Sequence, residues 1–255
     1  MVWILLYLFI IGLFVGSFYN VVALRLCKNE SIVFPGSHCV NCNHKLSWYE
    51  LIPVFSYIGL RGRCHHCKKH ISLQYPLIEL LTGILFALSF YIFGFSYNTL
   101  ISIVLCSIVI ITYITDSKYM VILDEVLVVG SILILLIYLI FEGIVPSLWH
   151  LFDALIVFLI MVLVKFLGDF AFKQESLGWG DVKLSFIAGL VLGINLGIAY
   201  IVLGSFLAFP YALYISIKKK DSILPFGPFL ATSLLIIFWN YSAISSFFMT
   251  LLGVV

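Results

Sequence analysis

Charged residues are scarce in this sequence. Asp, Glu, Lys and Arg make up 10% of its 255 residues, whereas 63% are hydrophobic. A soluble domain carries roughly 25% charged residues, so this chain has too little charge to keep a globular surface in water. The composition therefore excludes a soluble globular protein and predicts that lipid surrounds most of the chain.

The first apolar run lacks the marks of a cleavable signal peptide. No basic residue precedes it and no small-residue cleavage site follows it. A secretory signal has both, and its apolar core is shorter. We therefore expect this run, residues 2–24, to remain as a membrane-spanning helix.

Further apolar runs follow along the chain. A run of about 20 residues is long enough to cross roughly 30 Å of hydrocarbon. The runs predict an all-α polytopic membrane protein with about eight transmembrane helices, seven being the alternative. The predicted spans are 2–24, 77–95, 98–115, 125–141, 151–168, 184–197, 199–216 and 226–250.

Basic residues are missing from every second loop. Lys and Arg accumulate on the cytoplasmic side of a membrane. If the N-terminus lies outside, all 14 fall in the inside segments, which are 25–76, 116–124, 165–183 and 217–225. They are Arg25, Lys28, Lys45, Arg61, Arg63, Lys68, Lys69, Lys118, Lys165, Lys173, Lys183, Lys218, Lys219 and Lys220. Orientation in the membrane thus accounts for the basic residues, and no nucleic-acid partner is predicted.

The loop between the first two spans, 25–76, is the one sizeable polar segment of the sequence. It contains Cys39-Val-Asn-Cys42 and Cys64-His-His-Cys67. Two such pairs can bind zinc tetrahedrally, each from a tight turn. The reducing cytosol disfavours disulfides, and four cysteine ligands leave no open position for catalysis. The pattern predicts a small cytoplasmic domain folded around structural zinc.

Histidines near the cysteines leave other ligand sets open. His38, His44 and His70 are close in sequence and could replace a cysteine, although exposure to solvent is the simpler expectation. Cys27 and Cys106 fit neither pair. We expect a residue at the membrane boundary and a buried apolar thiol, respectively.

Two aspartates lie at the edges of predicted spans. Asp116 ends the third span, and Asp181 directly precedes the sixth, within Gly178-Trp179-Gly180-Asp181. Charges at such positions are costly and usually functional. The predicted topology, which does not use the aspartates, places both on the cytoplasmic side.

A pair of close carboxylates can hydrolyse a peptide bond. The two do not ionise together easily, so one keeps a proton while the other remains charged. The charged partner takes a proton from water, and the protonated partner polarises the scissile carbonyl. Gly178 and Gly180 have no Cβ and would let an extended substrate approach the backbone.

Simpler interpretations of these acidic residues remain open. Both aspartates could be solvated residues at helix ends, with Asp181 as an N-cap. Asp124 and Glu125 could replace Asp116 in the pair. They fit better as the start of the fourth span, where the helix dipole favours negative charge.

Other charged residues in or near the spans allow two readings each. Glu79, at the start of the second span, is either a buried functional carboxylate or a side chain that snorkels to the interface. Lys118 and Lys183 each lie two residues past an aspartate. They either favour the ionised carboxylate or follow the orientation rule. Asp153 and Asp169 are expected to be boundary residues at span ends.

Short motifs follow one another in a specific order over nearly the whole chain. They are Gly16-Ser17-Phe18-Tyr19-Asn20-Val21-Val22 with Arg25-Leu26, the two cysteine pairs with Leu51-Ile52-Pro53-Val54-Phe55-Ser56-Tyr57 and Arg61-Gly62-Arg63, Tyr75-Pro76-Leu77-Ile78-Glu79-Leu80, Asp116, Glu175 with Gly178 to Leu184, and Leu224-Pro225-Phe226-Gly227-Pro228. Together they resemble the type IV prepilin peptidase family, the bacterial leader peptidases among the GxGD aspartic proteases. One departure is Cys27, where the family usually has proline.

The resemblance implies catalytic roles for Asp116 and Asp181. It also implies supporting or substrate-binding roles for Gly178, Gly180, Glu79, Lys183 and Glu175. The implied substrate is the N-terminal leader of a prepilin or pseudopilin, cut at the cytoplasmic face of the bacterial plasma membrane. The chain would then comprise a first transmembrane helix (1–24), a cytoplasmic zinc-binding domain (25–76) and a membrane-embedded protease domain (77–255).

Many family members also methylate the new N-terminus with S-adenosylmethionine. That activity is implied by the resemblance alone. The sequence has no glycine fingerprint of a Rossmann fold, and the polar loop is too short for a conventional methyltransferase domain.

Two other function classes compete with a protease. A transporter or channel could use Asp116, Asp181 and Glu79 as proton or cation sites, but the aspartates lie at span edges and no internal repeat is visible. A zinc-containing scaffold for pilus assembly without catalysis would be favoured if the two aspartates lay far apart.

Overall fold

In a computed structural model, which describes residues 1–218 and 224–251, the chain is a set of helices joined by short loops, apart from the longer polar segment that follows the first helix. Within those residues the extended pairing is limited to two isolated β-bridges, which confirms the all-α class. The helices are α1 (Val2–Leu26), α2 (Phe55–Gly59), α3 (Gln74–Phe93), α4 (Tyr97–Tyr119), α5 (Asp124–Phe141), α6 (Ile144–Phe172), α7 (Trp179–Lys218), α8 (Gly227–Trp239) and α9 (Tyr241–Leu251), with a short 3-10 helix at Trp48–Leu51. Lys219 and Lys220, placed in the last predicted inside segment, lie outside the described residues.

Six of these helices, namely α1 and α3 to α7, are long and apolar enough to cross a membrane. Helix α8 and the part of α9 up to Phe247 meet at 89° and would add a seventh crossing if they form one bent span. The multi-pass architecture is therefore confirmed. The sequence-based count of about eight treats 184–197 and 199–216 as separate spans, whereas both lie within α7, which counts as one of the six helices although it is interrupted at Gly193.

Helix α7 is interrupted at Gly193, where φ is 72° and ψ is −179°. A Cβ on Gly189 would lie 2.9 Å from Val157 Cβ, and one on Gly197 would lie 2.6 Å from Val157 Cγ2. A straight helix would separate these glycines by roughly 12 Å. The chain therefore turns back on itself at Gly193, five residues before the predicted break, because glycine readily adopts a positive φ.

The chain divides into two compact units, unit 1 (Met1–Thr99) and unit 2 (Leu100–Val255). In unit 1, α1 packs directly on α3. A Cβ on Gly12 would lie 2.6 Å from Gly83 Cα, so the two backbones touch. Small residues permit such contact between membrane helices. The loop from 27 to 73 thus begins and ends on one tightly packed helix pair.

In unit 2, α7 packs against both α6 and α8. Its fully buried side chains include Leu184, Ile187 and Tyr200, and α8 contributes Leu230 and Leu234. Ser233 Oγ on α8 donates a hydrogen bond to the Tyr200 carbonyl oxygen at 3.0 Å. This core supports the start of α7, where Asp181 lies.

Candidate active site and cysteine cluster

Asp116 lies in the last turn of α4 and is only 6% exposed. Its Oδ2 accepts a hydrogen bond of 3.0 Å from the backbone N–H of Gly227, the first residue of α8. The first N–H groups of a helix have no partner within the helix, and its dipole favours negative charge there. The N-terminus of α8 therefore stabilises the Asp116 carboxylate in place.

Asp181 lies in the first turn of α7 and is 8% exposed. A Cβ on Gly178 would lie 3.3 Å from its Oδ2. Its Oδ1 is buried, and among the described residues it has no hydrogen-bond partner. The Val182 N–H bonds to the Gly178 carbonyl and α7 begins at Trp179, so Asp181 follows the N-cap position rather than occupying it.

Ile122 connects the surroundings of the two aspartates. A Cβ on Gly180, next to Asp181, would lie 2.8 Å from Ile122 Cβ. A Cβ on Gly227, which is bonded to Asp116, would lie 2.8 Å from Ile122 Cδ1. The two carboxylates are close enough to interact electrostatically. The fold thus brings together two acidic residues that are far apart in sequence, contrary to what the scaffold alternative requires.

The two glycines near Asp181, Gly178 and Gly180, lie close to other side chains of the protein. The Ile122 side chain fills the space that a Cβ on Gly180 would need, and Gly178 lies against Asp181 itself. Close packing is therefore one physical reason for glycine at both positions. Their contact with a substrate strand stays a prediction.

Asp124, the sequence-based alternative to Asp116, has a different environment. It begins α5 and is exposed, and both of its carboxylate oxygens accept bonds from Lys183 Nζ, at 2.7 and 2.6 Å. The Lys183 ammonium thus pairs with Asp124. This ion pair joins the start of α5 to the start of α7, close in sequence to Asp181.

The remaining acidic candidates lie in different places. Glu175 is exposed in the loop between α6 and α7. Glu79, in unit 1, is buried, and its Oε2 accepts a hydrogen bond of 2.7 Å from the Val54 N–H. Glu79 therefore points inward and holds the polar loop rather than snorkelling to the interface.

Sequence reasoning missed Lys165 and Asp169 near the site. Lys165 Nζ donates to the Leu177 carbonyl at 2.6 Å and lies 3.2 Å from Asp169 Oδ2. From the sequence alone, Lys165 is expected to reflect orientation in the membrane and Asp169 to be a boundary residue. The available signal was their opposite charge at a spacing of four residues, which places them on one helix face.

In the polar loop, the four cysteines at 39, 42, 64 and 67 bring their sulfur atoms within 4.8 Å of one another. Cys39 Sγ is 3.9 Å from Cys67 Sγ, and Cys42 Sγ is 4.0 Å from Cys64 Sγ. Tetrahedral zinc with Zn–S bonds of about 2.3 Å requires sulfurs about 3.8 Å apart. Two of the distances are close to this value and none exceeds 4.8 Å, so the cluster is suited to zinc.

The two cysteine pairs sit on matching turns. The N–H of Cys39 bonds to the His44 carbonyl, and that of Cys64 bonds to the Lys69 carbonyl, both at 2.9 Å. The residue after each pair has a positive φ, 54° at Asn43 and 58° at Lys68. The same local backbone thus presents each pair of sulfurs.

The pKa values of two of the cysteine thiols, Cys39 and Cys42, shift in opposite directions. Burial raises the pKa of Cys39, but the backbone of Asn41 and Cys42 and neighbouring thiols lower it further, to about 7. The His44 backbone lowers the pKa of Cys42, but burial and neighbouring thiols raise it to about 11. Thiolate is the form that binds metal. The sulfurs therefore compete for ionisation unless a cation lies among them.

Two of the three nearby histidines, His38 and His44, have contacts outside the cysteine cluster, and the third is exposed. The His44 ring stacks on the His66 ring with centroids 5.1 Å apart. His38 Nδ1 lies 2.9 Å from the Gly36 carbonyl oxygen, and His70 is exposed. Four sulfurs already complete a tetrahedral ligand set, so a histidine ligand is not required.

Two family models match the chain. "Bacterial Peptidase A24 N-terminal domain" matches residues 10–93, within unit 1, and "Type IV leader peptidase family" matches residues 103–213, within unit 2. No solved structure matches the chain.

Among its relatives, a Bacillus subtilis protein is 31% identical over 249 residues, covering 94% of this chain and 96% of its own length. A Neisseria gonorrhoeae protein is 32% identical over 255 residues, covering 90% and 88%. A Myxococcus xanthus protein is 38% identical over 187 residues, covering 73% of this chain and 55% of its own length. Each relative is named prepilin leader peptidase/N-methyltransferase.

Proposed function

The chain belongs to the type IV prepilin peptidase family, and we propose that it cuts the N-terminal leader from prepilins or pseudopilins at the cytoplasmic face of the membrane. The names of its relatives support this substrate class. A site formed at the ends of membrane helices also suits a substrate that is itself a membrane-inserted helix.

The observation that carries the proposal is the pairing of Asp116 with Asp181. Both are buried, both lie in a terminal turn of an apolar helix, and they interact electrostatically. Burying an ionisable side chain near a membrane costs free energy, so such residues are rare and usually have a function. A pair of close carboxylates is what water-mediated peptide hydrolysis requires.

The hydrogen bonds of the two carboxylates favour different roles. Asp116 accepts the Gly227 N–H at the start of α8, which stabilises a negative charge. Asp181 has a buried Oδ1 without a donor among the described residues, and burial without a donor favours the uncharged, protonated carboxyl. We assign Asp116 as the ionised base and Asp181 as the protonated acid.

Hydrolysis then proceeds without a covalent enzyme intermediate. Asp116 takes a proton from a bound water, whose oxygen bonds to the scissile carbonyl carbon. Asp181 donates its proton to the carbonyl oxygen, giving a neutral tetrahedral intermediate. The C–N bond then breaks as the leaving nitrogen receives the proton held by Asp116, and a hydroxyl proton returns to Asp181.

Charge distribution supports a cytoplasmic location for this chemistry in the bacterial plasma membrane. With the N-terminus outside, the segments that carry Lys and Arg all lie inside. If the two arms of α7 on either side of Gly193 each cross the membrane, Lys218 would return to the side on which Trp179 lies, as this topology requires.

The cysteine cluster is proposed to hold structural zinc. The residues at 39, 42, 64 and 67 supply four sulfurs that lie within 4.8 Å of one another. Bound zinc would neutralise the thiolates and join the two turns, leaving no open coordination position for a reaction.

N-methylation is proposed as a second activity, because the names of the relatives include N-methyltransferase. The methyl donor would be S-adenosylmethionine. The product of leader cleavage would then carry a methyl group on its new N-terminus.

One experiment tests both activities. The purified protein in lipid vesicles is mixed with a prepilin, with and without S-adenosylmethionine, and the product masses are read. We expect loss of the leader in both reactions and one added methyl group with the donor. A prepilin of unchanged mass would contradict the peptidase, and a cleaved but unmethylated product would contradict the second activity alone.

A further inference from the structure

The loop 173–178 leads directly into the candidate active site, because α7 begins immediately after it and Asp181 is the third residue of that helix. None of the six loop residues is buried. Burial of apolar side chains therefore does little to hold this loop. Its polar contacts must fix the point at which α7 starts.

Lys165 supplies the first of these contacts. It lies in α6 and is only 3% exposed, unusual for a lysine. A buried ammonium needs hydrogen-bond acceptors. It donates to the Leu177 carbonyl at 2.6 Å, and lies 3.2 Å from Asp169 Oδ2 and 5.5 Å from the centre of the Trp179 ring. Two of these three partners lie within four residues of Asp181.

Asp169 supplies the second contact. Its Oδ1 accepts the Ser176 N–H at 2.6 Å and the Ser176 hydroxyl at 2.8 Å, while its Oδ2 faces Lys165. The Ser176 hydroxyl also lies against Gly168, where a Cβ would overlap it. Two successive loop residues, Ser176 and Leu177, are thus fixed to α6 through their backbone.

We propose that Lys165, Asp169 and Ser176 form a loop clamp that positions Asp181 for catalysis. Lys165 is a positioning residue, since it acts on Asp181 through the loop rather than on the substrate. Only three residues separate Leu177 from Asp181, so a displacement of the loop backbone also displaces the Asp181 carboxylate. The catalytic part of this inference rests on the proposed peptidase function.

The test compares Lys165→Met with Lys173→Met in the full-length protein in vesicles. Both remove one lysine charge, but Lys173 is exposed and lies outside the loop clamp. Hydrogen exchange of residues 174–180 is measured by mass spectrometry, together with kcat and KM for prepilin cleavage. For Lys165→Met we expect at least tenfold faster exchange and a kcat about 10- to 100-fold lower, with KM nearly unchanged, because misplacement of about 1 Å can cost 100-fold. Lys173→Met should match the wild type.

Two further variants complete the test. Lys165→Arg keeps the charge and the donors, and should recover part of the lost kcat. Ser176→Ala, at an exposed position, should show the same pattern more weakly, and it serves in place of Lys165→Met if that protein does not accumulate.

Three outcomes would overturn the inference. The first is unchanged exchange in Lys165→Met, or in Ser176→Ala where that variant replaces it. The second is faster exchange with normal kcat, because the loop would then not position Asp181. The third is a lower kcat with a normal loop. If the wild type cleaves no prepilin, the proposed function fails and so does the catalytic part of the inference, while hydrogen exchange still decides whether Lys165 holds the loop.

Discussion

A buried charged side chain holds a polar loop in each of the two units. In unit 1, Glu79 accepts the Val54 N–H at 2.7 Å. In unit 2, Lys165 donates to the Leu177 carbonyl at 2.6 Å. Both residues belong to apolar helices, and both form a hydrogen bond with a backbone group of the loop.

The two loops differ in what else holds them. The loop of unit 1 has two hydrogen-bonded turns and four converging sulfurs, so it has a structure of its own that Glu79 attaches to α3. The loop of unit 2 is short and has no buried residue. In unit 1 the bond from Val54 to Glu79 therefore attaches a loop that is already folded. In unit 2 the bond from Lys165 to Leu177 helps to determine the conformation of the loop itself.

The largest effect expected from any substitution in the two units is the loss of catalysis when an aspartate of unit 2 is replaced. Asp116→Asn or Asp181→Asn should reduce prepilin cleavage by about 10²- to 10⁴-fold, because each removes a proton-transfer group, while the protein still inserts. Initial rates in vesicles measure this. Asp124→Asn is the matched control, since it breaks an exposed ion pair worth about 1 kcal/mol or less, and should keep near-normal activity. Normal cleavage by either of the first two variants would refute the assignment.

Zinc removal should affect unit 1 most. In Cys64→Ser, a buried sulfur ligand is lost, so the purified protein should contain far less zinc and the loop should exchange amide hydrogen quickly from 37 to 70. Cys27→Ser, which lies outside the cluster, is the control. Elemental analysis and hydrogen exchange report the two effects, and full zinc content in Cys64→Ser would rule out the four-cysteine site.

Glycines allow close helix packing in both units, but Gly197 in unit 2 lies against a side chain, whereas Gly12 in unit 1 lies against backbone. In Gly197→Ala, the new Cβ would lie 2.6 Å from Val157 Cγ2, and such overpacking costs about 1–3 kcal/mol. In a Val157→Ala background the overlap disappears, so the same substitution should become neutral or stabilising, because alanine is favoured in helices by about 1 kcal/mol over glycine. Thermal unfolding in detergent measures both.

Unit 1 provides the matched control for this cycle. A Cβ on Gly12 would meet the Gly83 backbone, so no side-chain truncation can relieve Gly12→Ala. Equal destabilisation by Gly197→Ala with and without Val157 would contradict the reversal of α7 described above.

The smallest expected effect concerns Glu79. Glu79→Met removes the acceptor of the Val54 N–H, and an unpaired buried group costs about 1–3 kcal/mol. Amide exchange at Val54 should increase while zinc content stays normal, since the loop keeps its cysteines. Loss of zinc in this variant would show that the loop of unit 1 depends on its helix as much as the loop of unit 2 does.

The main elements of the fold could be predicted from local sequence. Apolar runs predict the helices that cross the membrane, and the spacing of the cysteines predicts their cluster. Asp116 and Asp181 stand out because charge is rare in apolar surroundings. Their catalytic role stays a prediction that the cleavage experiments address.

The remaining features depend on contacts between distant segments. The apolar pattern continues through Gly193 from Leu192 to Ile194, so the sequence predicts a break between two spans but places it five residues too late. The bond between Lys165 and the Leu177 carbonyl is hidden, because a carbonyl has no sequence signature. Ile122 fills the space beside Gly180 and Gly227, and the periodicity of apolar residues does not predict such a contact.

The close contact of α1 with α3 has a consequence for metal binding. Closing a flexible segment costs entropy that grows slowly with its length. Because Gly12 and Gly83 hold the two helices together, the segment between them is already closed before any ion arrives. Each pair of cysteines then meets the other at a raised effective concentration. The intact protein should therefore bind zinc more tightly than a free peptide of the same loop sequence.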